Sequence, residues 1–253
     1  MLFRRKTAAP VWIDPHCRDV DPFPDPSKAL RDPDGLLALG GNLEPPMLLA
    51  AYRKGIYPWY SPDECIQWWT PDPRMVLFPD RLKVSRSLRR TMRRGEIRVT
   101  IDDDFPAVIR ACAEPRSRIR ENSAGPGLDG GILTNSATWI DDGMIEAYCR
   151  LHEYGFAHSA ETWRDGELVG GLYGVALGRV FYGESMFSRQ TDASKVALVH
   201  VVEKLRAWGY ELIDCQMHTA HLQSLGAEVL PRKAFNVLLD RWCVAEPQPE
   251  AWR

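Results

Sequence analysis

The chain has 253 residues, 45% of them hydrophobic and 26% charged, with 19 Gly, 19 Pro and a formal net charge of −2. That balance excludes a disordered, tail-like protein and leaves apolar material for a real core, in one large domain or two smaller ones. No apolar stretch approaches the ~20 residues of a membrane helix, and MLFRRKTAAP lacks the apolar run of a secretion signal, so a soluble, unexported protein is expected.

The six cysteines, Cys17, Cys65, Cys112, Cys149, Cys215 and Cys243, are scattered, with no C-x-x-C pair and no Cys/His cluster at zinc spacing. Such thiols suit a reducing cytoplasm. His218 and His221 lie close in sequence without an evident third ligand, and no metal is expected. With net charge near zero, any contact with nucleic acid must be local.

In chain order, residues 1–35 are rich in Pro and Asp and show no hydrophobic period, which predicts an extended, turn-rich lead-in. A short helix follows, with Asn42 as cap, Pro45 and Pro46 in its first turn, Met47 to Tyr52 in its body and Gly55 as its stop. The aromatic stretch around Trp59, Trp68 and Trp69 reads as packed irregular chain with short strands, and a small first domain is expected to end near Asp72. From Arg81 to Arg98 the sequence carries eight Lys/Arg against the single acid Glu96, in a helical register closed by Gly95. This basic block is either a solvated helix face or a phosphate-contacting patch, with Lys83, Arg86, Arg89, Arg90, Arg93 and Arg94 as candidates.

Residues 103–113 read as a helix and 114–136 as a long insert with loop composition. A helix then starts at Asp141 or Asp142 and stops at Gly155. From Ala157 the period changes to 2: AHSAETWR, the turn Asp165-Gly166, ELVGGLYGVALG and RVFYGESMF form an antiparallel meander. A helix with Leu198, Val201, Leu205 and Trp208 on one face and Gly209 as stop leads into the strand ELIDCQM, and the last ten residues or so, 244–253, read as a tail. The expected class is α+β, with a mixed, largely antiparallel sheet.

Strand alternation groups Tyr182, Glu184 and Met186 on one face of FYGESMF and Phe181, Ser185 and Phe187 on the other. In ELIDCQM it sets Asp214 and Gln216 side by side on a strand expected inside the sheet, where unpaired polar groups are costly. Glu161, in AHSAETW, is expected to face solvent. Phosphate-binding glycine loops, the G-x-S-x-G elbow and H-E-x-x-H are all missing from the sequence.

The segments LLALGGNL, YPWYSPDECIQWWTPDPR, TWIDDGMIEAY, AHSAETW, GELVGGLYGVALGRVFYGESMFSR, ASK and LIDCQMHTAHLQSLGAEVLPRKAF closely resemble the bacterial leucyl/phenylalanyl-tRNA–protein transferases, in order from about Phe23 to Trp242. The resemblance implies a small N-terminal domain (1–72) and a GNAT-like acyltransferase domain (73–253). It also implies transfer of Leu or Phe, less readily Met, from aminoacyl-tRNA to proteins that begin with Arg or Lys, marking them for degradation. By the same resemblance Asp214 and Gln216 match the catalytic pair and Glu184 the acid that helps position the reacting groups. Trp59, Trp139 and Tyr148 match aromatics near the tRNA 3′ adenosine. Leu172, Phe181, Met186, Leu198, Val201, Leu205 and Ile213 match the pocket for the transferred side chain. This chain departs from the family pattern at Val201 and Leu205, where phenylalanines are usual, and in the longer 114–136 segment.

The implied reaction is aminolysis of an activated ester. An α-amine of pKa about 8 is mostly protonated at neutral pH, so a carboxylate that orients it and takes its proton is useful, a role expected of Asp214 with Gln216 beside it. No organic cofactor is expected, because the acyl donor arrives activated, and a monomer is expected. Two alternatives stay open at this point. One is an acetyl-CoA-dependent N-acetyltransferase, although SRQTDASKV supplies no R/Q-x-x-G-x-G/A loop; the other is a non-catalytic RNA-binding module.

Overall fold

The computed structural model describes residues 9–114 and 139–252. Most of the expected 114–136 insert lies outside the described residues. Two sheets organise the described residues. The small one has the order β1-β2-β4-β3, from β1 (Val11–Ile13), β2 (Leu36–Gly40), β3 (Tyr57–Pro58) and β4 (Gln67–Trp69). The helix α1 (Pro45–Arg53) sits between β2 and β3 with two prolines at its start. Its N-cap is Glu44 rather than the expected Asn42, whose Oδ1 instead accepts from the Glu44 N–H at 3.1 Å. Gly55 ends the helix at φ +69°, and a Cβ there would lie 2.5 Å from the Phe235 ring.

The large sheet runs β11-β5-β10-β9-β8-β7-β6. Its strands are β5 (Arg74–Leu77), β6 (Arg98–Ile101), β7 (Ala157–Arg164), β8 (Glu167–Leu177), β9 (Val180–Ser188), β10 (Leu212–Gln216) and β11 (Glu228–Leu230). All neighbours are antiparallel except β9 and β10, which are parallel. These two are joined by the crossover helix α5 (Ala193–Ala207), so β10 enters the sheet interior. The β7–β8 hairpin turns on Asp165 (φ +52°) and Gly166 (φ +82°), the positive pair that a tight hairpin requires. The class is α+β with a mixed, largely antiparallel sheet.

One face of this sheet carries α3 (Phe105–Ala113), α4 (Asp142–Glu153) and α7 (Arg232–Trp242), and its buried side chains are continuous with those of α1 and the small sheet. The opposite face is covered by α5 and the short α6 (Ala220–Ser224). Against α5 packs α2 (Arg86–Arg93), through Leu88 on Val196 and Val199. Asp104 and Asp141 cap α3 and α4 by accepting from Ala107 and Met144 N–H, so Asp141, not Asp142, is the cap.

Two irregularities break strict alternation where it matters most. In β9 the pairing shifts from Tyr173↔Ser185 to Gly174↔Gly183, leaving Glu184 as the extra residue of a bulge. The faces therefore swap. Tyr182 and Phe187 lie on the α4 side and Phe181 and Met186 on the α5 side, correcting the grouping that alternation predicts. Gly174 makes this possible, since a Cβ there would sit 2.3 Å from the Tyr182 carbonyl. In β10 the register shifts between Asp214 and Gln216, and Gln216 adopts a left-handed φ of +60°.

The last residues are packed rather than a free tail. The Trp252 ring stacks on His158 at 3.9 Å, and its Nε1–H donates to the Tyr210 hydroxyl at 2.7 Å.

Candidate active site

The parallel pairing of β9 with β10 sets Asp214 beside Tyr182, and the residues two further on, Glu184 and Gln216, both lie at bulges. Gln216 Nε2 donates to Glu184 Oε1 at 3.0 Å, and the Tyr148 hydroxyl donates to Oε2 at 3.1 Å. Tyr148 is in turn hydrogen-bonded to Tyr52. Burial pushes the Glu184 carboxyl up to about 7, and the Asp214 anion adds to this, while the tyrosine hydroxyls and Arg74 pull it back. Burial beside Glu184 also raises both tyrosines well above their ordinary value, so they remain donors.

Asp214 has a different environment. It is fully buried, its Oδ1 accepting from Arg74 Nε at 2.8 Å and its Oδ2 from Arg74 Nη2 at 2.6 Å. Oδ1 also accepts from the Gln216 backbone N–H at 2.8 Å. Asp214 and Gln216 are thus neighbours, yet the carboxylate is engaged by an arginine while the amide reaches Glu184. Arg74 and Tyr52 are absent from the residues that motif reading singles out. The available signal for Arg74 was a cation heading the apolar strand RMVL, beside a strand with a buried acid that needed a partner.

Leu172, Phe181, Leu198, Val201, Leu205 and Ile213 all belong to the buried cluster between the sheet and α5, and Met186 packs against it. The Tyr148 ring lies on the other face of the sheet, where Trp59 and Trp139 pack half-buried against the same cluster. Lys83, Arg86, Arg89, Arg90, Arg93 and Arg94 are all exposed, and among the described residues none has an ion-pair partner. Leu88 alone of α2 is buried, so the arginines fan outward around one apolar anchor.

One expectation away from this site needs correction. Glu161 is fully buried, its carboxylate accepting from Ser159 Oγ at 2.5 Å and Thr100 Oγ1 at 2.7 Å, because β6 pairs along β7 and covers what would have been an edge. Among the described residues, Asp102, His152 and His158 form a group with metal-ligand proximity, and His218 and His221 do not belong to it. Its atoms already have protein partners: Asp102 Oδ2 at 2.7 Å from His158 Nδ1, and the Ala157 carbonyl at 2.8 Å from His152 Nδ1.

Comparison with known proteins agrees with a transferase. A family described as leucyl/phenylalanyl-tRNA protein transferase matches residues 76–240, and the N-terminal domain of that transferase matches residues 41–72. The leucyl/phenylalanyl-tRNA–protein transferase of Aromatoleum aromaticum is 56% identical over 230 residues, covering 91% of this chain and 90% of that protein. That of Stutzerimonas stutzeri is 57% identical over 225 residues, covering 89% and 91%. Among solved structures, a GCN5-related N-acetyltransferase from Kribbella flavida aligns with a TM-score of 0.33 at 11% identity, covering 74% of this chain and 61% of that one.

These relatives define an aminoacyltransferase, an enzyme rather than a binding module. The chain belongs to the leucyl/phenylalanyl-tRNA–protein transferase family.

Proposed function

We propose that this enzyme transfers leucine or phenylalanine, and less readily methionine, from aminoacyl-tRNA to the α-amino group of proteins that begin with Arg or Lys, marking them for degradation. It works in the cytoplasm as a monomer, with residues 1–72 as a small N-terminal domain and 73–253 as the catalytic domain. The observation that carries the proposal is the Gln216–Glu184–Tyr148 network, a buried acid with a near-neutral pKa held between two donors.

In this mechanism the amine nitrogen attacks the ester carbonyl, the new C–N bond forms, the carbon–ribose oxygen bond breaks, and the amine's proton must leave. The sequence alone favours Asp214 as its acceptor. Both Asp214 oxygens are engaged by Arg74, however, whereas Glu184 titrates near 7, the range suited to a general base. Glu184 therefore takes the proton, and Gln216, with one N–H committed to Glu184, offers its carbonyl oxygen to the incoming amine. Protonated Glu184 then returns that proton to the ribose oxygen as it departs. Asp214 supports Gln216 through the backbone bond.

The apolar cluster of Leu172, Phe181, Met186, Leu198, Val201, Leu205 and Ile213 receives the transferred side chain, recovering roughly 1.5–3 kcal/mol on burial. Trp59, Trp139 and Tyr148 meet the tRNA 3′ adenosine, and the α2 cations grip phosphates. The donor is already activated, so the chemistry needs no cofactor or metal.

The test is transfer of labelled leucine from Leu-tRNA to a peptide beginning with Arg. Transfer to that peptide, and not to one beginning with Asp, is expected. Labelling of the peptide from acetyl-CoA instead, or no transfer at all, overturns the proposal.

A further inference from the structure

We infer that Arg74 is a positioning residue for the transfer reaction, acting through Asp214 to hold the β10 bulge in the geometry that delivers Gln216 to Glu184. The inference rests on the reading of Glu184 and Gln216 as the reacting end of the site.

Gln216 is a non-glycine residue at φ +60°, a conformation that persists only where the surroundings enforce it. What holds its backbone is the bond from Gln216 N–H to Asp214 Oδ1. That oxygen is fixed by Arg74 Nε, and its twin by Arg74 Nη2, in a two-point clasp with exposures of 1% and 0% for the two side chains. The guanidinium is itself immobilised. It lies 4.7 Å from the Tyr57 ring centroid, in the small sheet, and 5.0 Å from that of Phe235, in α7. Position therefore passes from two aromatic faces to Arg74, to Asp214, to the Gln216 backbone and to its amide.

The chemistry of this chain of contacts selects arginine. A lysine ammonium in the same place is a point charge that cannot hold both carboxylate oxygens in parallel or lie flat between two rings. Buried ion pairs are often replaceable by apolar pairs at little cost in stability, so the contribution sought here is geometric.

Three variants test it, in the full-length enzyme, by single-turnover transfer from saturating Leu-tRNA, tRNA affinity and thermal melting. The double variant R74M/D214L removes the pair without leaving a lone buried charge. It should fold and bind tRNA within about twofold of the wild type while its transfer rate falls on the order of 10²-fold, the effect of a misplaced reacting group. R74K should lose about tenfold, and it decides the matter if the double variant does not fold. D214N should lower the pH midpoint of the transfer rate, because it removes the anion that raises Glu184 and leaves the Arg74 cation that lowers it. R74K, which keeps the charge and changes only the geometry, should instead lose rate with its pH midpoint, tRNA affinity and melting temperature near the wild type, a split that a merely structural role would not give.

Wild-type rates in R74K and in a folded double variant would overturn the inference. E184Q separates this from failure of the underlying reading. Loss of transfer in E184Q with normal Arg74 variants sinks only the role of Arg74, whereas a normal rate in E184Q sinks the site itself.

Discussion

Gln216 Nε2 and Glu184 Oε1 stand 3.0 Å apart across two parallel strands, Glu184 as the extra residue of the β9 bulge and Gln216 next to Cys215, the extra residue of β10. With Tyr182 paired to Asp214 in the parallel register, the residues two further along each strand fall side by side, and that register brings the two side chains together. The pairing of an acid of pKa about 7 with a neutral amide donor is the basis of several expected outcomes.

As the proton acceptor, Glu184 must be ionised. The transfer rate at saturating substrates should therefore rise with pH through a midpoint near 7 and fall about tenfold per pH unit below it. In E184Q the rate should drop by ~10²–10⁴-fold and this limb should vanish. Pre-steady-state transfer between about pH 5.5 and 8.5, which brackets a carboxyl of pKa about 7, is the measurement.

The same group couples stability to pH. Its folded value of about 7 lies above the ordinary 4.5, so between these the native state holds a proton that the unfolded chain has lost. Stability must then fall as pH rises through that window, by at most on the order of 3 kcal/mol. E184Q should lack this component, so its melting temperature relative to the wild type should climb from pH 5 to pH 7; parallel curves would contradict the burial effect.

Gly174→Ala should damage the site without touching it. The added methyl would lie 2.3 Å from the Tyr182 carbonyl and 2.5 Å from the Phe181 ring, so β8 or β9 must shift at the bulge that presents Glu184. A loss of about 1–3 kcal/mol in chemical denaturation, with a larger fall in transfer than in tRNA binding, is expected.

The exposed arginines of α2 should contribute affinity without sequence preference. Reversing Arg89, Arg90, Arg93 and Arg94 to Glu should weaken tRNA binding and flatten its salt dependence, while melting stays near the wild type because Leu88 anchors the helix. Filter binding at several salt concentrations reads both effects, and unchanged affinity would remove α2 from the interface.

Much of the molecule is legible in local sequence. Pro45, Pro46 and Gly55 bracket α1, Asp165-Gly166 turns the first hairpin, and Gly209 ends α5, because each requirement is met within a few residues. Glu184 and Gln216 stand out as polar residues in strands otherwise bound for the interior. Local pattern leaves Glu161 in solvent because nothing near it in sequence shows that β6, a strand some sixty residues earlier in the chain, lies along β7.

What the chain decides by itself is the order of elements, the apolar face of α5 and the residue types available to the site. Tertiary structure decides which of those residues meet. Alternation predicts Asp214 beside Gln216, but it cannot show that Arg74, 140 positions away, engages the carboxylate, or that the parallel register of β9 and β10 sets Gln216 beside Glu184. Hydrophobic period is a property of neighbours along the backbone, whereas a bulge and a buried ion pair arise from registry between distant strands, so they exist only once the sheet has closed.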